Sequence, residues 1–454
     1  MQKNEKVTIT ITGMSAEGSG IGRTKDGMAV FVPVTAIGDT VTAHIVKEAK
    51  TYAFGKLEKI IQPSEHRIEA DCHVFDRCGG CVFRHISYEE ESRVKWQRVK
   101  DAFARIGGFS NDPMPIMKAK NPNHYRNKAQ MPVGIDPKDK KIKAGFYQSR
   151  SHRIADSSHC KLQPALFGQV TEIIKQFLWE NNISVYDENT GKGYIRHIYL
   201  RSTRDSGQIM ICLVVNGNGL PKELVLTEML KEKLAVPFSL IINSNREKTN
   251  VILGKKYRTV YGPDTITDTL CGCEFSLSPA SFYQVNPEQA EKLYEKAMEY
   301  AGLTEKEILL DLYCGTGTIG LCMAKKAKEV IGVELVPQAI EDAIQNAERN
   351  NIKNARFICD DAAGAAQTLL KEGIKPDIIV VDPPRKGCEP ELLQTIADMA
   401  PKKIVYVSCD PATCARDIKA LTKQGYTLTE YTPLDMFPRT AHVETIVLLQ
   451  RQNT

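Results

Sequence analysis

Residues 308–320 read ILLDLYCGTGTIG, a short apolar run that leads into three glycines spaced as G-x-G-x-x-G. The apolar run is typical of a buried strand, and Gly315, Gly317 and Gly320 allow the backbone that follows to approach a ligand closely. A glycine turn between a strand and a helix binds dinucleotides and other adenosine cofactors. The stretch therefore predicts the first strand of a cofactor-binding α/β fold, with the identity of the cofactor open.

The sequence that follows residue 287 supports this fold, because helical runs alternate there with short apolar strands. The later strands are expected at residues 330–333, 357–358, 378–381 and 404–407. Such alternation predicts a doubly wound parallel sheet, which binds its ligands at the carboxyl ends of the strands. Glu334 ends the second strand, where a carboxylate can accept hydrogen bonds from ribose hydroxyls.

The earlier part of the chain has a different pattern. Residues 6–61 alternate polar and apolar side chains between glycine turns, which predicts a small antiparallel barrel. Residues 113–263 contain mostly strand-like runs, with one helix expected near residues 164–179. We therefore predict an α/β plus β protein with an OB-like barrel at 1–62, a central β-rich domain at 63–265 and a Rossmann-like domain at 266–454.

Composition and charge limit the partners of this protein. The 454 residues are 42% hydrophobic and 25% charged, with a net charge of +5. Eleven Lys and Arg but only three Asp lie between residues 118 and 161, with aromatic residues among them. This stretch is either a solvated basic face or a surface for nucleic acid. No uncharged apolar run approaches the ~20 residues that span a membrane, so we expect a cytoplasmic protein without a membrane partner.

Thirteen cysteines, an odd number, favour metal binding or catalysis over disulfides. Three of them lie in CHVFDRCGGC (residues 72–81), and the next cysteine along the chain follows at residue 160. The predicted ligands are Cys72, Cys78, Cys81 and Cys160. Three grouped cysteines with a distant fourth fit a [4Fe-4S] cluster better than zinc. A zinc site remains the minority interpretation, with a nearby histidine replacing one thiolate.

Two strand ends place reactive groups beside the predicted cofactor. They are VDPPRKG (381–387) and VSCDPATCARD (407–417), and they bring an acid, a rigid Pro-Pro turn and the thiol of Cys409 to one crevice. A nicotinamide-dependent oxidoreductase is an alternative on the glycine motif alone. However, hydride transfer has no obvious use for this thiol, whereas a planar electrophilic base does.

Several stretches resemble one known family in order and spacing. They are FYQVN (282–286), DLYCGTG (311–317), DPPRKG (382–387), SCDP (408–411) and HVETIVLL (442–449). These motifs are similar to those of S-adenosylmethionine-dependent RNA (uracil-5-)-methyltransferases, which form 5-methyluridine in ribosomal or transfer RNA. The resemblance implies contacts to the methyl donor from Gln284, Tyr313, Glu334, Asp361 and Asp382.

The same resemblance makes Cys409 the nucleophile and Glu444 the general base. A thiolate that adds to carbon 6 of uracil turns carbon 5 into an enolate-like nucleophile, and a base must later remove the carbon 5 proton. Cys409 precedes a helix expected to begin near Pro411, whose N-terminus should lower the pKa of the thiol. His442 is the rival base, and Phe282 is either a surface on which the extracted base stacks or a core residue.

The resemblance extends to the rest of the chain. The barrel resembles a TRAM domain, an RNA-binding OB-like module, and YRNK (125–128) implies RNA contacts from Arg126 and Lys128. The cysteine spacing matches ribosomal members and implies a [4Fe-4S] cluster, so 23S ribosomal RNA is the expected partner. The alternatives are a transfer-RNA enzyme, the oxidoreductase and a noncatalytic RNA-binding cluster protein. We expect a monomer without an obligate protein partner.

Overall fold

A computed structural model describes residues 3–452 of the chain. The first two and last two residues of the predicted terminal domains lie outside the described residues. The chain folds into a closed barrel, a central sheet, a two-stranded hairpin and a C-terminal sheet. Within residues 3–452, every helix is too short or too polar to cross a bilayer.

The N-terminal barrel consists of β1 (Lys6–Met14), β2 (Gly20–Arg23), β3 (Ala29–Val32), β4 (Thr40–Glu48) and β5 (Tyr52–Gln62). The strands close in the order β1-β2-β3-β5-β4, and alternate residues such as Ile9, Val30 and Val41 fill the interior. The predicted barrel is confirmed, but it is not wholly antiparallel, because β3 and β5 pair in parallel. Each strand reverses the direction of the one before it, so the third and fifth strands run the same way.

Helix α1 (Tyr88–Ala102) follows the cysteine-rich segment. Ser87 caps it by accepting a hydrogen bond from the Glu90 N–H at 3.2 Å, and three glutamates in the first turn suit the positive end of the helix dipole. The chain then continues through a wider π-helical turn, Phe103–Gly107, and Gly108 ends it with a φ of 81°. The helical segment thus extends from Tyr88 to Gly107, with its last turn widened.

The central sheet has seven strands in the order β12-β11-β10-β9-β6-β7-β8. They are β6 (Lys128–Ile135), β7 (Ile142–Tyr147), β8 (Ile154–Asp156), β9 (Ile195–Ser202), β10 (Ile209–Val215), β11 (Phe238–Ser244) and β12 (Lys256–Tyr261). Helices α2 (Ala165–Glu180) and α3 (Glu223–Lys233) share a hydrophobic core with these strands. Only one helix was expected here. Helix α3 was not predicted, because its apolar contacts depend on its packing against the sheet.

The C-terminal sheet also has seven strands, in the order β17-β16-β15-β18-β19-β21-β20. The strands of the hairpin and of this sheet are β13 (Ile266–Leu270), β14 (Cys273–Leu277), β15 (Ile308–Leu312), β16 (Glu329–Glu334), β17 (Ala355–Cys359), β18 (Ile378–Val381), β19 (Lys403–Ser408), β20 (Tyr426–Leu434) and β21 (Glu444–Arg451). The helices are α4 (Pro287–Ala301), α5 (Thr318–Met323), α6 (Pro337–Arg349), α7 (Ala362–Lys371), α8 (Pro390–Met399) and α9 (Pro411–Thr422). The expected doubly wound sheet is present, but it is not wholly parallel, because β21 pairs antiparallel with β19 and β20.

Helix α1 packs on the C-terminal sheet, although the sequence placed it in the central domain. Val99 and Phe103 belong to the same hydrophobic core as the buried residues of β19 and α9. The ring of Phe103 stacks on that of Tyr431 in β20, with centroids 4.2 Å apart. The predicted boundary at residue 265 is therefore crossed by a helix that completes the C-terminal core.

A buried ionic network joins α1 to the segment that precedes β21. The ammonium group of Lys95 is 2.7 Å from Glu91 Oε1 and 2.7 Å from Asp435 Oδ1, and all three side chains are at most 1% exposed. Lys95 Nζ also donates to the carbonyl of Phe437 at 3.1 Å. Such a network holds its parts firmly, because removal of one partner leaves an uncompensated buried charge.

We expect Lys95→Met to lower the free energy of unfolding by about 3–5 kcal/mol, since the buried Asp435 carboxylate then loses its cation and Glu91 keeps only Arg439, at 3.4 Å. Urea unfolding followed by circular dichroism measures the change. Lys231→Met is the matched control, because Lys231 forms an exposed pair with Glu228 at 2.9 Å, worth at most about 1 kcal/mol. Similar unfolding midpoints for both variants would contradict the structural role of Lys95.

Candidate active site

The candidate active site lies at the carboxyl edge of the C-terminal sheet. Strands β18 and β19 run in parallel, so Asp382 and Cys409, the residues that follow them, emerge at the same edge. Strand β21 runs antiparallel to β19, with Thr445 opposite Ser408. Its first residue, Glu444, therefore lies where β19 ends. The sheet topology brings the predicted nucleophile and the predicted base together.

The glycine loop after β15 forms the neighbouring part of this edge. The Gly315 N–H donates to Glu334 Oε2 at 3.2 Å, and the Val336 N–H donates to Glu334 Oε1 at 3.0 Å. Asp311 accepts from the Gly320 N–H at 2.9 Å through Oδ2. Its Oδ1 is buried without a partner among residues 3–452, and burial raises the pKa of Asp311 to about 7.

These features fit an adenosine-containing methyl donor. Open space lies where a Cβ of Gly315 would stand, so a ligand can approach the backbone there. The side chains of Leu335 and Val336 are 65% and 52% exposed next to Glu334, and they offer an apolar surface to a base. Asp311 adds an unpaired acceptor oxygen. Asp311 could not be predicted from the sequence, because the sequence near the end of a strand does not reveal that a carboxylate oxygen lacks a partner.

Two of the predicted donor-binding residues flank this loop. Tyr313 directly follows β15 in a left-handed conformation, with a φ of 65°, and burial raises the pKa of its phenol above the usual range. The side chain of Gln284 is half-buried, and its backbone carbonyl accepts a hydrogen bond from Asn127 Nδ2 at 3.2 Å. The structure thus gives Gln284 a backbone held by a hydrogen bond and a side chain that is partly exposed.

Asp361 caps the N-terminus of α7, a role that the sequence did not predict. It precedes α7, and its Oδ1 accepts hydrogen bonds from the N–H groups of Ala363 and Gly364 at 3.1 and 2.9 Å. This is an N-cap, which satisfies backbone donors at the start of a helix. Because Oδ1 binds the helix, Oδ2 is the oxygen with which Asp361 can contact a ligand.

The thiol of Cys409 is partly exposed, and its pKa is raised to about 11. Burial is the largest cause, the carboxylates of Glu444 and Asp382 act in the same direction, and Arg385 opposes them. The net direction is opposite to the decrease expected from a helix N-terminus. Asp410 caps α9 by accepting hydrogen bonds from the N–H groups of residues 412 and 413, so these two donors bind a carboxylate.

Glu444 and His442 differ strongly in basicity. Glu444 is 5% exposed, and burial, followed by the charge of Asp382, raises its pKa to about 8, although Arg385 opposes this. For His442, burial followed by the charges of Arg385 and Arg98 lowers the pKa to about 4. The imidazole is therefore the weaker base of the two.

Phe282 is not a core residue, since 62% of it is exposed. Arg201 holds the loop that precedes Phe282. Its guanidinium donates hydrogen bonds to the carbonyls of Ser278 and Ser281 at 2.9 and 2.7 Å. Arg201 is only 1% exposed in β9, so the central sheet fixes the position of this ring. Arg201 could not be predicted from the sequence, because a buried arginine within a strand has no local signature.

The YRNK segment lies under the same loop. The Asn127 N–H donates to the Val285 carbonyl at 2.9 Å, so this asparagine supports the loop that carries Phe282. Arg126 and Lys128 are both half-buried. Burial, followed by the charges of Arg201 and Arg126, lowers the pKa of Lys128 to about 8. The predicted RNA contacts thus sit in a cluster of cations beside the exposed ring.

The four predicted cluster cysteines are partly buried and near one another. Burial raises the pKa values of Cys78, Cys81 and Cys160, and the other thiols of the set raise them further. The Gly80 N–H donates to Cys78 Sγ at 3.4 Å. Within the described part of the chain, however, no group of three or more His, Cys, Asp or Glu is arranged to hold a metal ion. A [4Fe-4S] cluster thus stays a prediction.

Two protein families match this sequence. The tRNA (Uracil-5-)-methyltransferase family matches residues 87–452, and the TRAM domain matches residues 2–57. A Clostridium tetani protein described as an uncharacterized RNA methyltransferase is 46% identical, over 99% of this chain and 97% of its own. A Listeria innocua protein with the same description is 44% identical, over 99% of this chain and 98% of its own.

A solved structure agrees with these relatives. The crystal structure of Pyrococcus abyssi tRNA (uracil-54, C5)-methyltransferase in complex with S-adenosyl-L-homocysteine superposes with a TM-score of 0.80. Its sequence is 28% identical, and the superposition covers 98% of this chain and 100% of that chain. The family match, the relatives and the solved structure all favour a methyltransferase over the nicotinamide-dependent oxidoreductase. The chain belongs to the tRNA (uracil-5-)-methyltransferase family and is an S-adenosylmethionine-dependent RNA uracil-5-methyltransferase with an N-terminal TRAM domain.

Proposed function

We propose that this protein methylates carbon 5 of a uracil in 23S ribosomal RNA through a covalent bond between Cys409 and carbon 6. The observation that carries the chemistry is the meeting of Cys409, Glu444 and Asp382 at one sheet edge. The two carboxylates are near enough to raise the pKa of the thiol. A thiol and a carboxylate at one edge are what nucleophilic addition followed by proton removal requires.

In this proposal the thiolate of Cys409 adds to carbon 6, and the electron pair of the 5,6 double bond moves toward carbon 5 and the neighbouring carbonyl. S-adenosylmethionine would supply the methyl group, which bonds to carbon 5 as its bond to the positively charged sulfur breaks, so that S-adenosylhomocysteine is the leaving group. Glu444 then removes the proton that remains on carbon 5. The released electron pair restores the double bond as the bond between carbon 6 and sulfur breaks, which returns Cys409 as a thiolate.

The raised pKa of Cys409 keeps most of the thiol protonated near neutral pH. Arg385 is the nearby cation that lowers this pKa, and a positively charged donor at the same edge acts in the same direction. Binding of the methyl donor therefore favours the reactive thiolate. The thiol is protected from side reactions while the donor is absent.

Glu444 suits the role of base better than His442. A general base works best when its pKa lies near the working pH. The carboxyl of Glu444, with a pKa of about 8, holds the abstracted proton more firmly than the imidazole of His442, with a pKa of about 4. Glu444 also begins the strand that lies beside Cys409.

We assign donor binding to Gln284, Tyr313, Glu334, Asp361 and Asp382, with Asp311 as an addition. On the RNA side, Phe282 offers an exposed ring on which the extracted uracil can stack. Arg126 and Lys128 lie beneath its loop and can contact phosphates.

We further propose that Cys72, Cys78, Cys81 and Cys160 hold a [4Fe-4S] cluster that orders the cysteine-rich segment. Each thiolate of such a cluster binds its own iron, so the four sulfurs need not converge on one ion. The Gly80 N–H that donates to Cys78 Sγ is the kind of contact that stabilises cluster ligands. The cluster takes no part in methyl transfer. The three-domain division at residues 62 and 265 belongs to the same proposal.

The choice of 23S ribosomal RNA rests on the combination of the TRAM barrel with the four cysteines. Transfer RNA is the competing substrate, favoured by the P. abyssi structure, which is that of a tRNA (uracil-54, C5)-methyltransferase. The two substrates differ in the RNA surface that must be bound, while the chemistry at Cys409 is the same. Direct competition between the two RNAs therefore distinguishes them.

We expect the protein to form an SDS-stable adduct with 5-fluorouridine-substituted 23S ribosomal RNA in the presence of S-adenosylmethionine, because fluorine at carbon 5 cannot leave as a proton does. Cys409→Ala should abolish the adduct and still bind S-adenosylhomocysteine. Cys359→Ala, at an exposed cysteine, is the matched control and should behave as the wild type. Adducts with substituted transfer RNA alone would assign the enzyme to transfer RNA.

Glu444→Gln should slow product formation by roughly 10²–10⁴-fold, because the carbon 5 proton has no base to accept it. The covalent adduct with unmodified RNA should accumulate, and gel shift under denaturing conditions measures it. His442→Asn should release product at a rate much closer to that of the wild type. Accumulation of adduct in His442→Asn instead of Glu444→Gln would reverse the assignment of the base.

The same variant makes a prediction about pH. Glu444 is ionised mainly above its pKa of about 8, and its negative charge raises the pKa of Cys409 toward about 11. Removal of that charge lowers the thiol pKa, so Glu444→Gln should react faster with iodoacetamide between these two pH values. Mass spectrometry of the Cys409 peptide measures the rate, with Cys359 as the internal reference. Slower alkylation of the variant would show that Glu444 does not act on the thiol.

Protein purified without oxygen should be brown and contain about four iron atoms per chain, as expected for one cluster. Cys78→Ser should lose the colour and most of the iron, whereas Cys359→Ser should keep both. Iron analysis and visible absorption are the measurements. Colourless wild-type protein with one zinc per chain would favour the zinc alternative.

A further inference from the structure

Three cysteines to which the proposed chemistry gives no role meet where the β13–β14 hairpin packs on α5. Cys271 and Cys273 lie on either side of the glycine of the hairpin turn, and Cys322 lies in α5. The Cys322 thiol donates to the Leu270 carbonyl at 3.4 Å, and the Cys273 thiol donates to the Leu321 carbonyl at 3.7 Å. We call Cys271, Cys273 and Cys322 the hairpin thiol cluster.

The thiols of the cluster also contact one another. The thiol of Cys322 is hydrogen bonded to those of Cys271 and Cys273, and these bonds, followed by burial, raise the pKa of Cys322. Its hydrogen bond with Cys322 lowers the pKa of Cys273 to about 7, although burial opposes this, and the charge of Lys325 lowers it further. Near neutral pH, Cys273 is thus partly ionised next to a Cys322 thiol that keeps its proton.

One thiol of the cluster is open to solvent. Cys322 and Cys273 are 8% and 2% exposed, whereas Cys271 is partly exposed at the turn. Cys271 also has a left-handed backbone, with a φ of 48°, a conformation that favours glycine, asparagine or aspartate in a two-residue hairpin turn. Neither the turn nor the packing of a core therefore explains a cysteine at this position.

The arrangement favours oxidation of the thiols over metal binding. Neighbouring thiols, one of which solvent can reach, are the setting in which a disulfide forms. Within residues 3–452, no three side chains of the metal-binding types are arranged to hold an ion. A reaction that needs only two sulfurs therefore fits the hairpin thiol cluster better.

We propose that Cys271 and Cys322 form a disulfide when a peroxide reaches the hairpin turn, with Cys273 as the base. The thiolate of Cys271 attacks one oxygen of hydrogen peroxide, so the O–O bond breaks and a sulfenic acid and a hydroxide form. Cys322 then attacks the sulfenic sulfur while its proton passes to the thiolate of Cys273. The S–S bond forms as the S–O bond breaks, and the departing hydroxide takes that proton from Cys273 and leaves as water. Two thiols are thereby oxidised to one disulfide, and one peroxide is reduced to two waters.

The disulfide acts on the methyl-donor site through α5, which begins directly after the glycine loop. The Gly320 N–H of this helix donates to Asp311 Oδ2 at 2.9 Å, and a Cβ on Gly320 would lie 2.9 Å from the same oxygen. The helix therefore packs closely on β15 at the donor site. The sulfurs of a disulfide are about 2 Å apart, closer than two thiols in contact, so Cys322 must be drawn toward the turn.

The hairpin is also fastened to the donor site, through α6. Asn346 Oδ1 accepts from the Ser276 N–H of β14 at 3.2 Å, and Asn346 Nδ2 donates to the Thr316 carbonyl in the glycine loop at 3.2 Å. Asn350 Oδ1 accepts from the Glu274 N–H at 2.8 Å. A shift on either side of the disulfide thus disturbs the glycine loop, so the oxidised protein binds the methyl donor more weakly.

The first test uses the full-length protein, treated with hydrogen peroxide and then catalase, and blocked with N-ethylmaleimide before digestion. Mass spectrometry with fragmentation should find peptides joined through Cys271 and Cys322, which dithiothreitol separates. Cys271→Ser and Cys322→Ser should give no such pair, and Cys273→Ser should form it more slowly. Cys359→Ser, at an exposed cysteine, is the control and should form it as the wild type does.

Two outcomes would contradict the disulfide. Absence of the joined peptides from wild-type protein in which Cys359 has been oxidised would overturn the proposal, because the oxidant was then active. Peptides joined through Cys273 instead of Cys271 would overturn the roles given to these two thiols.

A second test measures the coupling to the donor site by calorimetry with S-adenosylhomocysteine. The disulfide should weaken binding about 5- to 150-fold, the usual range for coupling between two sites, and dithiothreitol should restore it. Bound S-adenosylhomocysteine must then disfavour the disulfide by the same factor, which titration against a dithiothreitol redox buffer measures. Peroxide-treated Cys271→Ser should bind as the untreated wild type does, which separates this disulfide from oxidation elsewhere. Unchanged affinity in protein that contains the disulfide would overturn the coupling.

The inference uses only the binding of S-adenosylmethionine by this family, and neither the proposed RNA substrate nor the roles of Cys409 and Glu444. Cys409→Ala should therefore form the disulfide as the wild type does. The disulfide in a protein that forms no fluorouridine adduct would support this inference and refute the proposed methylation. Adduct formation by a protein that forms no disulfide would do the reverse.

Discussion

Strand direction is the constraint on which the active site depends. All strands of a parallel sheet end at one edge, so a residue that begins a strand reaches this edge only when its strand runs the opposite way. Strand β21 does so between β19 and β20, and Glu444, its first residue, thereby meets Cys409. The register matters as much as the direction, because a slip by one residue turns each side chain to the opposite face of the sheet.

Buried charged groups fix the segment between β20 and β21. Lys95 binds Asp435 at the start of the segment that leads to β21, and Glu91 accepts a hydrogen bond from the Arg439 N–H at 2.6 Å. Arg439 has a left-handed backbone, with a φ of 70°, and its carbonyl accepts from the N–H groups of residues 82 and 83 beside the cysteine cluster. The cysteine-rich segment and α1 thus hold the segment that leads to β21, although they lie more than 300 residues before it in the sequence.

Burial and the nearby carboxylates keep the thiol of Cys409 protonated near neutral pH. Burial raises the pKa values of Asp382 and Glu444 to about 7 and about 8, and both groups hold back ionisation of Cys409. The helix that follows Cys409 does not compensate, because Asp410 occupies its first N–H groups. A cationic methyl donor is therefore the natural partner for this group of acids, since its charge relieves the same repulsion that disfavours the thiolate.

The sequence alone determined the features that depend on local pattern: the barrel at the N-terminus, the glycine loop after β15, the order of strands and helices beyond residue 287, and the motifs that contain Cys409 and Glu444. Alternation, glycine spacing and short motifs are readable without knowledge of distant contacts. Only the tertiary structure decided that β3 pairs in parallel with β5, that α1 completes the C-terminal core, that Phe282 is exposed and that the pKa of Cys409 rises. These properties depend on which distant residues meet, because strand pairing, burial and the charges around a group are set by contacts across the whole chain.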